Sequence, residues 1–178
     1  VGGANALATD LAHFLGAEPV VTTQSDNTQL WALDTLPQQY GWTLRAANSN
    51  AAIAAFVNQQ PTALLLDVRN QGTDYLERTA PAHVKVYYHF EEIPQADFAL
   101  LIIVSPRRYE TTVNTLCYIP RVLHAGIGCR KGMQGDAADL QAQIHTLLSA
   151  NQLYPEALAD INSIDLKKEE PLLNTLAN

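Results

Sequence analysis

The sequence predicts an α/β fold built from mainly parallel sheets flanked by helices. Two short, continuous apolar runs, Ala63 to Val68 and Ala99 to Val104, have the length and content of strands buried on both faces. Stretches of helical spacing separate the extended segments, an alternation that favours parallel pairing. A glycine turn, Gly126-Ile127-Gly128, follows the apolar pair Val122-Leu123 and precedes another helical stretch, the order expected where a strand hands over to a helix.

Taken in chain order, Leu7, Leu11 and Leu15 form one helical stripe, with Gly16 placed to end it. Glu18-Pro19 turns the chain into Val20-Val21-Thr22-Thr23, a β-branched strand. From Gln24 to Thr62 the spacing is helical. Leu30, Leu33 and Leu36 with Trp31 predict one helix, and Ala51 to Val57 another, capped by Ser49 or Asn50. Beyond the buried run that carries Asp67, Val84 to Phe90 alternates. Val84, Val86, Tyr88 and Phe90 fall on one side and Lys85, Tyr87 and His89 on the other, which predicts a half-exposed strand. Ser105 to Pro120 shows no regular period and reads as a linker or crossover. Asp136 is placed to cap a helix whose apolar face is Leu140, Ile144, Leu147 and Leu148. Tyr154-Pro155-Glu156 opens a short helix with proline in its first turn. Ile161 to Leu166 reads as a strand that delivers Lys167-Lys168-Glu169-Glu170-Pro171 at its carboxyl end, before a last helix from Pro171.

Composition narrows the function. The 178 residues are 47% hydrophobic and 16% charged, an ordinary globular balance with room for one sizeable core or two small domains. No apolar run approaches the roughly 20 residues of a membrane helix, and Val1-Gly2-Gly3 lacks the basic and apolar pattern of a secretory signal. The missing initiator Met leads us to expect that Val1 is not the native start. A net charge of −7 argues against non-specific nucleic-acid binding, while leaving room for a local basic pocket that takes an acidic small molecule. Cys117 and Cys129 form no CxxC and have no clustered histidines, so a protein-held metal is not expected; two separate cysteines suit the cytoplasm.

The chemistry-bearing stretch is His124-Ala125-Gly126-Ile127-Gly128-Cys129-Arg130-Lys131-Gly132. Glycines at a strand end let backbone N–H groups approach a ligand, and Arg130 and Lys131 attract carboxylate or phosphate. Glycine turns also serve purely steric ends, so the motif alone leaves both readings open. In a parallel sheet, ligands bind beyond the carboxyl ends of strands. Gly126 to Gly132 and Lys167 to Glu170 both follow expected strands, so Arg130, Lys131, Lys167 and Lys168 would form a carboxylate-binding rim. Glu170 or His124 would then be available for proton transfer. The alternative is that Lys-Lys-Glu-Glu is a solvated charge run. The opening Gly2-Gly3-Ala4-Asn5 offers helix N–H groups to an anion in the same two-sided way. Nucleotide binding is disfavoured: the turn lacks the Gly-Lys-Ser/Thr ending of a phosphate loop, and Gly132 falls one position late for a dinucleotide fingerprint.

Three ordered blocks give the chain a resemblance to the cobalt-precorrin-5A hydrolase family (CbiG) of anaerobic cobalamin biosynthesis. The first runs from Gly2-Gly3-Ala4-Asn5-Ala6-Leu7-Ala8 to Gly16-Ala17-Glu18-Pro19-Val20-Val21-Thr22-Thr23 and Asp26, with Ala32-Leu33-Asp34 similar to the neighbouring segment. The second is Gly126-Ile127-Gly128-Cys129-Arg130-Lys131, and the third Ile164-Asp165-Leu166-Lys167-Lys168-Glu169-Glu170-Pro171. The resemblance runs nearly end to end, although 24–117 is mostly divergent. It implies a remnant of an N-terminal domain over 1–23, a middle α/β domain over 24–118, and the first part of an incomplete C-terminal α/β domain over 119–178. It further implies a chain truncated at both ends, lacking a His that precedes the Gly-Gly-Ala-Asn block in the family.

The activity implied by the resemblance is opening of the δ-lactone of a cobalt-containing, ring-contracted tetrapyrrole, with release of the extruded carbon as acetaldehyde. Such a substrate carries many acetate and propionate arms, and other cobalamin-pathway enzymes are expected partners. Cobalt arrives in the substrate, so no cofactor is expected. On this reading Glu170 and Lys167 are the expected catalytic residues, Glu170 acting as general base. Gly2, Gly3, Asn5, Gly126, Gly128, Arg130 and Lys131 are the expected substrate-binding residues. The alternative is a non-catalytic corrinoid-binding or carrier module of the same pathway, and a third reading is an interaction domain without a ligand.

Overall fold

A computed structural model describes residues 2–17, 30–128 and 136–163. The expected strand at Val20 to Thr23, the carboxyl half of the Ile161 to Leu166 run and the helix from Pro171 lie outside the described residues. The chain divides into two units, 1–32 and 33–178.

The first unit holds helix α1 (Gly2–Leu15), closed by Gly16 at φ 63°, a left-handed value that suits glycine. The helix forms where the leucine spacing predicts it, yet the stripe is not a buried one. Leu7, Leu11 and Leu15 are exposed, as is Phe14, while Ala12 is buried.

The second unit begins with a short helix α2 (Leu36–Tyr40), strand β1 (Thr43–Ala46), helix α3 (Ser49–Val57) and strand β2 (Thr62–Leu66). Helix α4 (Gln71–Arg78), strand β3 (Val84–Tyr87), strand β4 (Leu100–Val104) and strand β5 (Asn114–Ile119) follow. The five strands form one sheet in the order β1-β5-β4-β2-β3, parallel throughout except for β1, which runs antiparallel to β5. Every residue of β2 and β4 is buried, which accounts for their unbroken apolar sequences. Ala63, Leu65, Leu101 and Ile103 pack with Tyr87 and Ile93, and Phe90, Phe98, Tyr109 and Val113 cover this cluster. Fully burying a Leu or Ile side chain contributes about 1.5–3 kcal/mol, so the two central strands hold the sheet.

Several expectations are corrected. The helix predicted from Leu30, Leu33 and Leu36 is absent before Leu36; Pro37 stands in the first turn of α2, where its missing N–H costs nothing. Asn48, not Ser49 or Asn50, caps α3, its side chain accepting from the Ala51 N–H at 3.0 Å. Ser105 to Pro120 is no mere linker, because β5 occupies its second half and pairs with both β4 and β1. Tyr87 is buried and the strand ends there, so Phe90, expected within the strand, belongs to a 3-10 turn (Phe90–Glu92).

The remaining elements are strand β6 (Leu123–Gly126), helix α5 (Ala137–Ala150), a 3-10 turn (Pro155–Ala157) and strand β7 (Leu158–Asn162). Strands β6 and β7 pair in parallel as a separate two-stranded sheet. Asp136 caps α5 as predicted, its carboxylate accepting from the Ala138 N–H. Leu140, Ile144 and Leu148 are half-buried, but Leu147 is exposed and leaves the predicted face. Among the described residues no helix is long and apolar enough to cross a membrane.

Candidate functional site

The parallel register of β6 and β7 sets Gly126 opposite Asn162. Their carboxyl ends therefore leave one edge together, and two further bonds extend the pairing. The Ile127 N–H donates to the Asn162 carbonyl at 2.8 Å, and Ser163 Oγ donates to the Ile127 carbonyl at 2.8 Å. A Cβ placed on Gly126 or Gly128 would meet nothing within 4 Å among the described residues. Arg130, Lys131, Lys167, Lys168 and Glu170 lie outside the described residues. Gly2, Gly3 and Asn5 fall in the first turns of α1, in the other unit.

His124 stands on β6 with its Nδ1 2.8 Å from Oδ1 of Asp160 on β7. Asn162 Nδ2 donates to the same oxygen. The bond to His124, reinforced by that from Asn162, holds the Asp160 carboxyl below its ordinary value. Both side chains are largely exposed. A histidine oriented through Nδ1 keeps Nε2 for proton exchange, the geometry general bases use. The sequence marked His124; its partner could only be found once the register was known.

A second group of residues converges where the sheet order reverses. Strand β2 is followed by β3 on one side and β4 on the other, so the carboxyl ends of β2 and β4 flank a topological switch point, the usual place for ligands in open α/β sheets. Asp67 follows β2 and Ser105 follows β4. Ser105 Oγ donates to Asp67 Oδ2 at 2.6 Å, and the Tyr109 hydroxyl donates to the same oxygen at 2.9 Å. Burial and the adjacent Asp67 carboxylate push the Tyr109 phenol up to about 12. Tyr109 stacks on Phe90 with ring centroids 4.3 Å apart.

Asp67, Tyr109 and Phe90 line a cavity of about 570 Å³ together with Tyr88, His89, Glu91, Arg107, Arg108 and the chain from Ala150, the last residue of α5, to Gln152. That volume lies within the range of small-molecule sites. The segment that follows β4 is tied to the turn after α5: Arg107 bridges to Leu153, the Arg108 N–H donates to the Gln152 carbonyl at 2.7 Å, and the Tyr154 N–H donates to the Pro106 carbonyl at 2.8 Å. Gln152 itself sits at φ 56°, a left-handed conformation that costs a non-glycine residue free energy. Sequence reading recognised Asp67 only as the end of a strand. It missed the arginines because they sit in the stretch taken as a linker, where the adjacent pair Arg107-Arg108 was the available signal.

Comparison with known proteins adds a second line of observation. A family model described as the cobalamin biosynthesis central region matches residues 31–120, and one described as the cobalamin synthesis G C-terminus matches residues 123–178. The chain is 29% identical to a protein of Priestia megaterium named cobalt-precorrin-5A hydrolase, over 100% of this chain and 49% of the relative. It is 31% identical to a protein of the same name from Salmonella typhimurium, over 99% of this chain and 50% of the relative. The chain thus spans about half the length of these curated relatives. No solved structure matches it.

Proposed function

The chain belongs to the CbiG family of cobalamin biosynthesis, and from that premise we propose that it opens the δ-lactone of cobalt-precorrin-5A with release of acetaldehyde. The relatives that carry this name match it from end to end, which supports the reading at the level of the reaction. The structural observation that carries it is the parallel register of Gly126 with Asn162. Strand β6, which precedes Arg130 and Lys131 in the sequence, and strand β7, which precedes Lys167 and Glu170, end at the same sheet edge. That arrangement suits a substrate rimmed with carboxylates.

Lactone hydrolysis needs a base to take a proton from water as the water adds to the carbonyl carbon, and donors for the oxyanion before the ester C–O bond breaks. We assign the base to Glu170 and the donors to backbone N–H groups from Gly128 to Lys131. Arg130, Lys131 and Lys167 orient substrate carboxylates. Gly2, Gly3 and Asn5 are assigned to substrate binding on the resemblance of their block alone. Cobalt belongs to the substrate in this scheme. The His124–Asp160 pair is the alternative proton acceptor, favoured by its 2.8 Å contact.

Anaerobic incubation with cobalt-precorrin-5A, with the Priestia megaterium relative run in parallel, tests the reading by assaying acetaldehyde. Release from both is expected. Binding of the substrate without acetaldehyde would replace the hydrolase with a corrinoid carrier. Full turnover in Glu170→Gln together with loss in His124→Gln would transfer the base to His124.

A further inference from the structure

We infer that the crevice at the switch point of the five-stranded sheet binds a carboxylate-bearing ligand through the guanidinium groups of Arg107 and Arg108, residues that both line it. The inference rests on the proposed function only for the choice of ligand, an acidic tetrapyrrole edge; the anion-binding chemistry stands on the residues themselves.

The two arginines differ from others in the unit in what holds them. Arg45 and Arg69 are paired with Glu156 and Glu77, and Arg121 donates to the Leu158 and Ala159 carbonyls. Arg107 and Arg108 make no side-chain hydrogen bond among the described residues. Arg107 forms a long ion pair with Asp67, Nε to Oδ2 at 3.9 Å, beyond hydrogen-bond reach. The Arg108 guanidinium lies 5.0 Å from the centroid of the Tyr154 ring, a cation–π contact that steadies the plane without using its N–H groups. Both residues line the cavity.

Their backbone, by contrast, is held firmly. The Arg107 N–H donates to Ser105 Oγ at 2.8 Å, and that hydroxyl is anchored on Asp67. The bridge to Leu153 and the bond from the Arg108 N–H to Gln152 clamp the other side. A clamp whose backbone is fixed before the ligand arrives loses less entropy on binding. Asp67 is a positioning residue here: its Oδ2 already accepts from Ser105 and Tyr109 and lies 3.9 Å from Arg107 Nε, although its carboxylate, like that of Glu91, lines the crevice.

The surroundings set the polarity. The last carbonyls of α5 would repel an anion, but they accept internal donors. Asn151 N–H and Nδ2 bond Leu147, Gln152 N–H bonds Ser149 and Leu153 N–H bonds Leu148. Glu91 also lines the crevice, and its charge disfavours a carboxylate on that side. The ligand carboxylate therefore seats against the two guanidiniums, which suit bidentate pairing.

The test uses uroporphyrin, a porphyrin bearing acetate and propionate arms, titrated by fluorescence against the wild-type chain and three variants at low salt. The double variant Arg107→Gln/Arg108→Gln is expected to bind about tenfold more weakly or worse, the loss of at least one charge-assisted pair. Arg78→Gln/Lys85→Gln, which removes the same two positive charges outside the crevice lining, should leave binding unaltered, and Glu91→Gln should tighten it. Matching circular dichroism spectra show that the variants fold. Equal affinity in wild type and double variant, or no binding by the wild type, would overturn the inference. Acetaldehyde release from cobalt-precorrin-5A is scored separately. A clamp that fails in an active chain refutes the crevice alone, and a clamp that holds in an inactive chain refutes the hydrolase alone.

Discussion

The Ser105 hydroxyl donates to Oδ2 of Asp67 at 2.6 Å, joining the carboxyl ends of two adjacent parallel strands. The same hydroxyl accepts from the Arg107 N–H. One small buried side chain thereby links the sheet to the segment that carries both arginines.

Ser105→Ala removes a donor and an acceptor at a site that is 1% exposed. Stability should fall by about 1–3 kcal/mol, because the Arg107 N–H loses its acceptor and Asp67 one of its donors. Urea denaturation followed by tryptophan fluorescence measures this. An unchanged midpoint and slope would show that the link carries no load.

Gly72 lies beneath the Trp42 and Tyr40 rings, and a Cβ there would come within 2.3 Å of Trp42 Cζ2 and 2.8 Å of Tyr40 Cγ. Gly72→Ala should therefore destabilise through overpacking by about 1–3 kcal/mol, despite the better helix propensity of alanine. A thermal melt that rises instead would mean the two rings move aside freely.

The Tyr118 hydroxyl, fully buried, donates to the Leu33 carbonyl at 2.7 Å. Tyr118→Phe leaves that carbonyl without this donor and should cost about 1–3 kcal/mol in chemical denaturation. A neutral result would require another donor to reach Leu33.

Tyr109 gives the stability a pH dependence at the alkaline end. Its folded-state value of about 12 lies above the ordinary 10.0, so the folded chain holds this proton more tightly than the unfolded one. The contribution is fully present below the ordinary value and is lost as pH rises from there toward about 12. Tyr118, raised in the same direction chiefly by burial, adds a slope of the same sign. Tyr109→Phe should show a shallower decline in Tm across this window, with the Tyr118 part remaining. Identical slopes would mean that Tyr109 ionises alike in both states.

The elements legible in the sequence were those whose burial is uniform or strongly periodic. Strands β2 and β4 read clearly because both faces are covered, and α5 because Asp136 caps a periodic stretch. Strand β5 did not, since Asn114 and Thr115 open it with polar residues and its burial varies along its length. Helix α4 went unread for a similar reason: Asn70 caps it through a reciprocal bond with Thr73, but its sequence, Gln71 to Arg78, is mostly polar. The α1 leucines misled in the opposite sense, since regular spacing identified the helix but not the exposure of its stripe. At the sites, His124 and the glycines were visible as residue types. Asp160 and the crevice depend on strand order and register, which no local pattern encodes.

The proposed hydrolytic opening of the lactone is tested by the anaerobic reaction in heavy-oxygen water with mass analysis of the tetrapyrrole product. Attack of water on the lactone carbonyl predicts acetaldehyde release together with one heavy oxygen in the freed carboxylate. An unlabelled carboxylate, or an intact lactone beside a fully active relative, would contradict it.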